Sequence, residues 1–180
     1  MAKTDNILGV AYLGLGAPGD GVMGATLTEF TDIEVNSVTI EGSTGNDTNI
    51  PTEADDAYIT LTDSPSPTTI KVRAYGITPA QRVLIMGGEI NTETGGDDEG
   101  KWMAPRSIPN IYLSMKMMGK DIEGKQMVLK IPYGKVSARD QGNITKNGLP
   151  AVEITVTANT PESGAGVKGN PYILGAETTV

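Results

Sequence analysis

Apolar and polar residues alternate along most of this chain, and a period of two commits it to β-structure. Val152, Ile154, Val156 and Ala158 alternate with Glu153, Thr155 and Thr157, which puts one row on each face of a half-buried strand. Ile111, Leu113, Met115 and Met117 repeat the pattern, as do Met127, Leu129, Ile131 and Tyr133, and Ile70, Val72 and Ala74. Shorter runs at 57–62 and 33–41 bring the expected strands to at least six. In the second of these the apolar phase slips between Val35 and Val38, the signature of a bulge or twist. Polar residues at every second position indicate antiparallel sheets with one wetted face, here rich in Thr, Lys and Tyr.

One segment breaks the period. Thr78-Pro79-Ala80-Gln81 reads as a capping box with proline at the first helical position. Ala80, Val83 and Leu84 then share a helical face, and Gly87-Gly88 stops the helix. A helix of two to three turns is unstable alone and must pack on a sheet. The expected fold is mainly β: an antiparallel β-sandwich or barrel with one short flanking α-helix and long loops. The length fits a single domain spanning 1–180.

Between these elements lie long stretches without a clear period: a Gly-rich N-terminal arm at 1–25, loops at 42–56 and 87–109, and a C-terminal arm at 161–180. Gly 23 and Pro 11 make the chain rich in loops without making it low-complexity. Loops longer than about 12–15 residues are uncommon in compact domains. Arms of this kind often become ordered against a neighbour.

The chain has no histidine and no cysteine. Ser-His-Asp and Cys-His nucleophile systems therefore lack their base, zinc sites lack their usual ligands, and no cofactor is expected. The formal charge of −8 disfavours tight nucleic-acid binding, which depends on neutralising phosphates. Residues 1–100 hold 4 Lys+Arg against 16 Asp+Glu, a net −12, and residues 101–180 hold 10 against 6, a net +4. Either these halves form opposed acidic and basic surfaces suited to head-to-tail contacts, or they interleave in one sheet and their charges mix. No run reaches the roughly 18 apolar residues of a membrane span, and Met1–Asp5 lacks the apolar core of a signal peptide, so the expectation is synthesis in the cytoplasm without export.

Candidate chemistry is sparse. Asp97-Asp98-Glu99, with Glu89 and Glu93, and the group Glu53, Asp55 and Asp56 offer oxygen ligands without the spacing of a calcium loop; solvated loop tips are the expected reading. A glycosidase carboxylate pair needs an aromatic-lined cleft, and aromatic residues are only 4% of the chain. Gly14-Leu15-Gly16-Ala17-Pro18-Gly19 looks like a dinucleotide loop, but Pro18 would interrupt the helix that such a loop must open. Met115, Met117, Met118 and Met127 read as fillers of core gaps. Trp102 reads either as an interface anchor or as a side chain tucked under its own loop.

Taken in order, the Gly-rich arm, the strand ending Val35-Asn36-Ser37-Val38-Thr39-Ile40-Glu41, the polar loop, the strands near 57–61 and 70–75, the helix Pro79–Met86 and the closing run from Gly119 through Met127–Pro132 and Val136-Ser137-Ala138 to 149–158 resemble the tail tube (major tail) proteins of long-tailed bacteriophages. The resemblance covers nearly the whole chain and rests on order and texture. It implies a non-enzymatic structural protein whose six-fold rings, each lined by a continuous β-barrel, stack head-to-tail into a hollow tube in the virion tail, assembled in the host cytoplasm. The implied partners are further copies of the chain, a tape measure protein, and tail terminator and baseplate or tip proteins. DNA would pass through the lumen without specific binding, past a wall expected to be net negative, and no membrane is involved. The implied inter-subunit contacts are Asp47, Asn49, Glu53 and Asp55 in the 42–56 loop, together with Trp102 and Tyr172. Other β-sandwich assembly or adhesion proteins, including carbohydrate-binding modules, remain the alternative; a binding module would be a stable monomer with an aromatic platform.

Overall fold

The computed structural model describes residues 9–54, 56, 59–63, 66–142 and 150–178. The expected mainly β, antiparallel fold with one helix is what these residues form. The main sheet runs in the order β2 (Thr28–Glu29), β1 (Tyr12–Gly16), β9 (Ile111–Met118), β10 (Lys125–Gln141), β11 (Ala151–Ala158), β6 (Thr69–Ala74) and β3 (Thr39–Glu41), with β12 (Ile173–Thr178) also paired to β10. Every pairing is antiparallel. The path ends at β2 on one side and β3 on the other, so no barrel closes.

β10 organises the sheet. Its first part, Lys125–Lys130, pairs with β12, whereas Gly134–Gln141 pairs with β11, and β9 runs beside both parts. The register with β9 shifts between Ile131 and Gly134, where Pro132 has no N–H to give to a ladder. The two parts of the sheet share one core of Leu13, Leu15, Met115, Ile131, Ile154 and Val72, among others, all almost fully buried. Met115 and Met117 are in this core, as their alternation predicts, whereas Met118 lies on the opposite face of β9. The strands β9, β10 and β11 come from the basic half of the sequence and are flanked on both sides by strands from the acidic half. The halves therefore interleave in one sheet, and the Arg82–Asp140 ion pair at 2.9 Å links them.

The helix α1 spans Pro79–Met86, with both hydrogen bonds of the capping box formed at Thr78 and Gln81. Its fully buried residue is Ile85; Val83 and Leu84 are half-buried and Ala80 is exposed. The expected face is thus rotated toward Ile85, because the helix meets β10 along one side and the 87–103 segment along another.

Several long segments are not loops. The 42–56 stretch contains β4 (Asn46–Ile50), which pairs with β5 (Ile59–Asp63) as a separate two-stranded hairpin. The 87–109 stretch contains β7 (Glu89–Ile90) and β8 (Trp102–Met103). The arms contain β1 and β12. The 33–41 run is also divided: Ile33 forms an isolated bridge to Ala74, and β3 starts only at Thr39. Between them Asn36 has φ 60° and the Ser37 amide donates to Glu34 O. The slip in apolar phase is therefore a turn, not a bulge. The Gly14–Gly16 stretch lies within a core strand with no helix following it, which removes the dinucleotide-loop reading. Among the described residues no helix is long and apolar enough to cross a membrane.

Candidate functional site

The hairpin β4–β5 presents an exposed apolar face. Its base is closed by the Ser66 amide donating to Thr44 O at 2.7 Å. The pairing puts Asp47, Asn49, Thr60 and Thr62 on one face. There Thr62 Oγ1 donates to Asp47 Oδ1 at 2.6 Å and Thr60 Oγ1 donates to Asn49 Oδ1 at 2.8 Å. The opposite face carries Thr48, Ile50, Ile59 and Leu61 by the same register. Ile50 and Ile59 are each 43% exposed and Leu61 is 53% exposed. Among the described residues the hairpin pairs with no other strand, and a two-stranded hairpin is marginally stable by itself in water.

Asp47 and Asn49 therefore sit together, but as internal ties of the hairpin's polar face. Glu53 is exposed in the connection between its strands. Asp55 lies outside the described residues, as do the first two residues of the expected 57–62 strand. Tyr172 is 42% exposed immediately before β12. The apolar trio Ile50, Ile59 and Leu61 was not singled out by sequence; only the 57–62 run alternates, and the Asn46–Asn49 stretch that pairs with it is wholly polar.

Trp102 has the tucked role. Its Nε1 donates to Gly87 O at 2.8 Å, and the Arg82 guanidinium lies 5.3 Å from its ring centroid. Arg82 in turn holds Asp140 of β10 with two hydrogen-bonded contacts, at 3.0 and 2.9 Å. Trp102 thus joins the β7–β8 hairpin to the end of α1. Gly88 permits that crossing: at φ 85°, its missing Cβ would lie 2.2 Å from Met103 O. The acidic tip of this hairpin is internally tied, with Asp98 on Lys101 and Glu99 Oε2 accepting the Gly95 amide. Among the described residues no group of three or more acidic side chains is placed to hold a metal ion.

Two further features border the sheet. An apolar groove of about 510 Å³ beside β3 is lined by Val10, Ile33, Val35, Val38 and Ile40, with Lys120 and Glu34 in its wall. Arg73 Nη1 holds Glu34 at 2.8 Å, and a hydrogen bond to Glu34 is the main reason the Tyr75 hydroxyl titrates above its ordinary value. On the wetted face the charges come in pairs: Lys71 with Glu41, Arg73 with Glu34, and Arg139 with Glu153. The rings of Tyr112 and Tyr133 stack there at 5.0 Å, each covering a face of the other.

Among the described residues this arrangement provides unpaired sheet edges, an apolar groove and an apolar hairpin face. No protein-family model matches the chain, and no curated protein is significantly similar to it.

Proposed function

We propose that the chain is a structural subunit that assembles with copies of itself into a tube, as its resemblance to phage tail tube proteins implies. The observation that carries this reading is the isolated β4–β5 hairpin with Ile50, Ile59 and Leu61 in solvent. Burying apolar area contributes roughly 25 cal/mol per Å², and a neighbouring copy would supply that burial. The groove lined by Val35, Val38 and Ile40 is chemically complementary to it. A projection and a groove on different parts of one chain make a heterologous contact, which closes into rings or extends into filaments. Open edges at β2, β3 and β12 are the second support, since an uncovered edge is a template for pairing with another chain.

In this reading the rings are hexameric and stacked, and the partners are the tape measure, terminator and baseplate or tip proteins of a virion tail. DNA passes through the bore without specific binding. With the paired wetted face as its lining, phosphates would meet charges already compensated by neighbours rather than free cations, a more balanced wall than the −8 total alone implies.

The test is negative-stain microscopy and sedimentation of the purified chain across a concentration series. Regular hollow filaments or hexamers are expected. The double variant Ile59→Asp and Leu61→Asp is expected to give a folded monomer. A wild-type chain that stays monomeric at high concentration refutes the proposal.

A further inference from the structure

We propose that the cleft between Tyr12, the 23–27 segment and the paired lysines Lys116 and Lys130 binds a small oxyanion of the phosphate class, in competition with Glu177. The antiparallel register of β9 and β10 sets Lys116 directly opposite Lys130. Like charges facing each other across a strand pair are destabilising, yet both lysine side chains are about 70% buried, at 28% and 30% exposure. One carboxylate serves both ammonium groups. Glu177 of β12 hydrogen-bonds Lys130 through Oε1, while its Oε2 is 3.9 Å from Lys116 Nζ. That distance is beyond a hydrogen bond, so the Glu177 contact leaves the donors of Lys116 available. The cluster of two cations and one anion keeps a net +1 within a protein of net charge −8.

The surroundings give this surplus charge room. The cleft is about 600 Å³ and is lined by Tyr12, Met23, Gly24, Leu27, Lys116 and Lys130. Gly14, the register partner of Lys116, has no side chain, and that leaves room for the Tyr12 ring to lie across it. The Tyr12 hydroxyl lies above that glycine, where a Cβ would be 2.4 Å from it. Two ammonium groups and a phenol thus converge on one concave site. A tetrahedral oxyanion offers several acceptors at once, and charge-assisted hydrogen bonds are the strong ones. A phosphate dianion also restores charge balance when Glu177 moves away. The counter-ion it displaces is carried by β12, which among the described residues pairs with β10 alone.

This inference is independent of tube assembly and is tested on the dispersed subunit. Inorganic phosphate is titrated by calorimetry and by NMR of backbone amides, against sodium chloride at matched ionic strength. Saturable binding is expected, with shifts at residues 12–14, 116, 130 and 173–178. Glu177→Gln, which removes the competing charge, is expected to tighten phosphate about tenfold, or about 1.4 kcal/mol. Lys116→Ala is expected to abolish saturation, and the amide spectrum of each variant verifies its fold. A short oligonucleotide without terminal phosphates serves as the phosphodiester arm and is expected to bind more weakly than inorganic phosphate. Four results would each overturn the proposal: a chloride response equal to that of phosphate, unchanged affinity in Glu177→Gln, saturation retained in folded Lys116→Ala, or preference for the oligonucleotide.

Discussion

The Ser114 hydroxyl accepts the Gly24 amide at 2.9 Å across ninety residues of sequence. The same hydroxyl donates to Pro132 O at 2.6 Å. One fully buried oxygen thus fastens the N-terminal segment to β9 and fixes the place where β10 shifts register. Ser114→Ala is expected to leave a donor and an acceptor without their partner and to cost about 1–3 kcal/mol. Urea unfolding measures this as a lower midpoint with an unchanged slope.

Arg82 bridges the ring of Trp102 and the carboxylate of Asp140. Arg82→Ala is expected to uncover the indole and loosen the β7–β8 hairpin. Cation–π contacts contribute about 0.5–2 kcal/mol, so the fold should survive. The chain has one tryptophan, and its emission should therefore shift to longer wavelength without global unfolding.

Gln81 acts at both ends of its amide. Its Oε1 accepts the Thr78 amide at 2.8 Å, and its Nε2 donates to Glu29 O at 2.8 Å. Gln81→Ala should remove the side-chain half of the capping box and the tie to β2 together, leaving the Gln81 amide on Thr78 Oγ1, at about 1–2 kcal/mol. Gln81→Glu should retain the cap interaction and lose the tie, and thermal unfolding of the two variants separates these contributions.

The Glu177 carboxyl is held below its ordinary value chiefly by the hydrogen bond from Lys130, with coulombic attraction from both lysines adding to it. The fold therefore favours the ionised form. That contribution is complete above the ordinary glutamate range, near about 4.3, and is lost as pH falls through the lowered folded value. NMR protection factors of the β12 amides should be level from neutral pH down to about 5 and decline below about 4. In Lys130→Ala, which removes the main cause of the lowering, that decline should be smaller.

The strands legible in sequence are those with a large difference between their faces. β6 alternates throughout, and β9, β11 and much of β10 alternate over most of their length, because one face enters the core. β1 was hidden by Gly14 and Gly16, which read as loop. Its backbone is closely approached, and a Cβ at Gly16 would lie 2.1 Å from Thr26 O. β4 was hidden because Asn-Asp-Thr-Asn has no apolar row; threonine hydroxyls on β5 hold its face instead. β12 is almost wholly exposed, so burial imposed no pattern on it. Asp47 and Asn49 entered as contacts that the resemblance implies; the register adds Ile50, Ile59 and Leu61 on the opposite face of the same hairpin, where no apolar period on β4 announces them. Trp102 could be read two ways until the Gly87 carbonyl and Arg82 were seen around it.

The continuity of β10 has a mechanical consequence. A single strand of seventeen residues runs through both parts of the sheet, about 55 Å if fully extended. A pull along it is borne first by covalent backbone. The ladders to β9, β11 and β12 are then loaded in shear, many bonds at a time, rather than peeled one by one. Stiffness along that line and compliance across it come from the same strand, with the register shift at Pro132 as the point where bending is easiest.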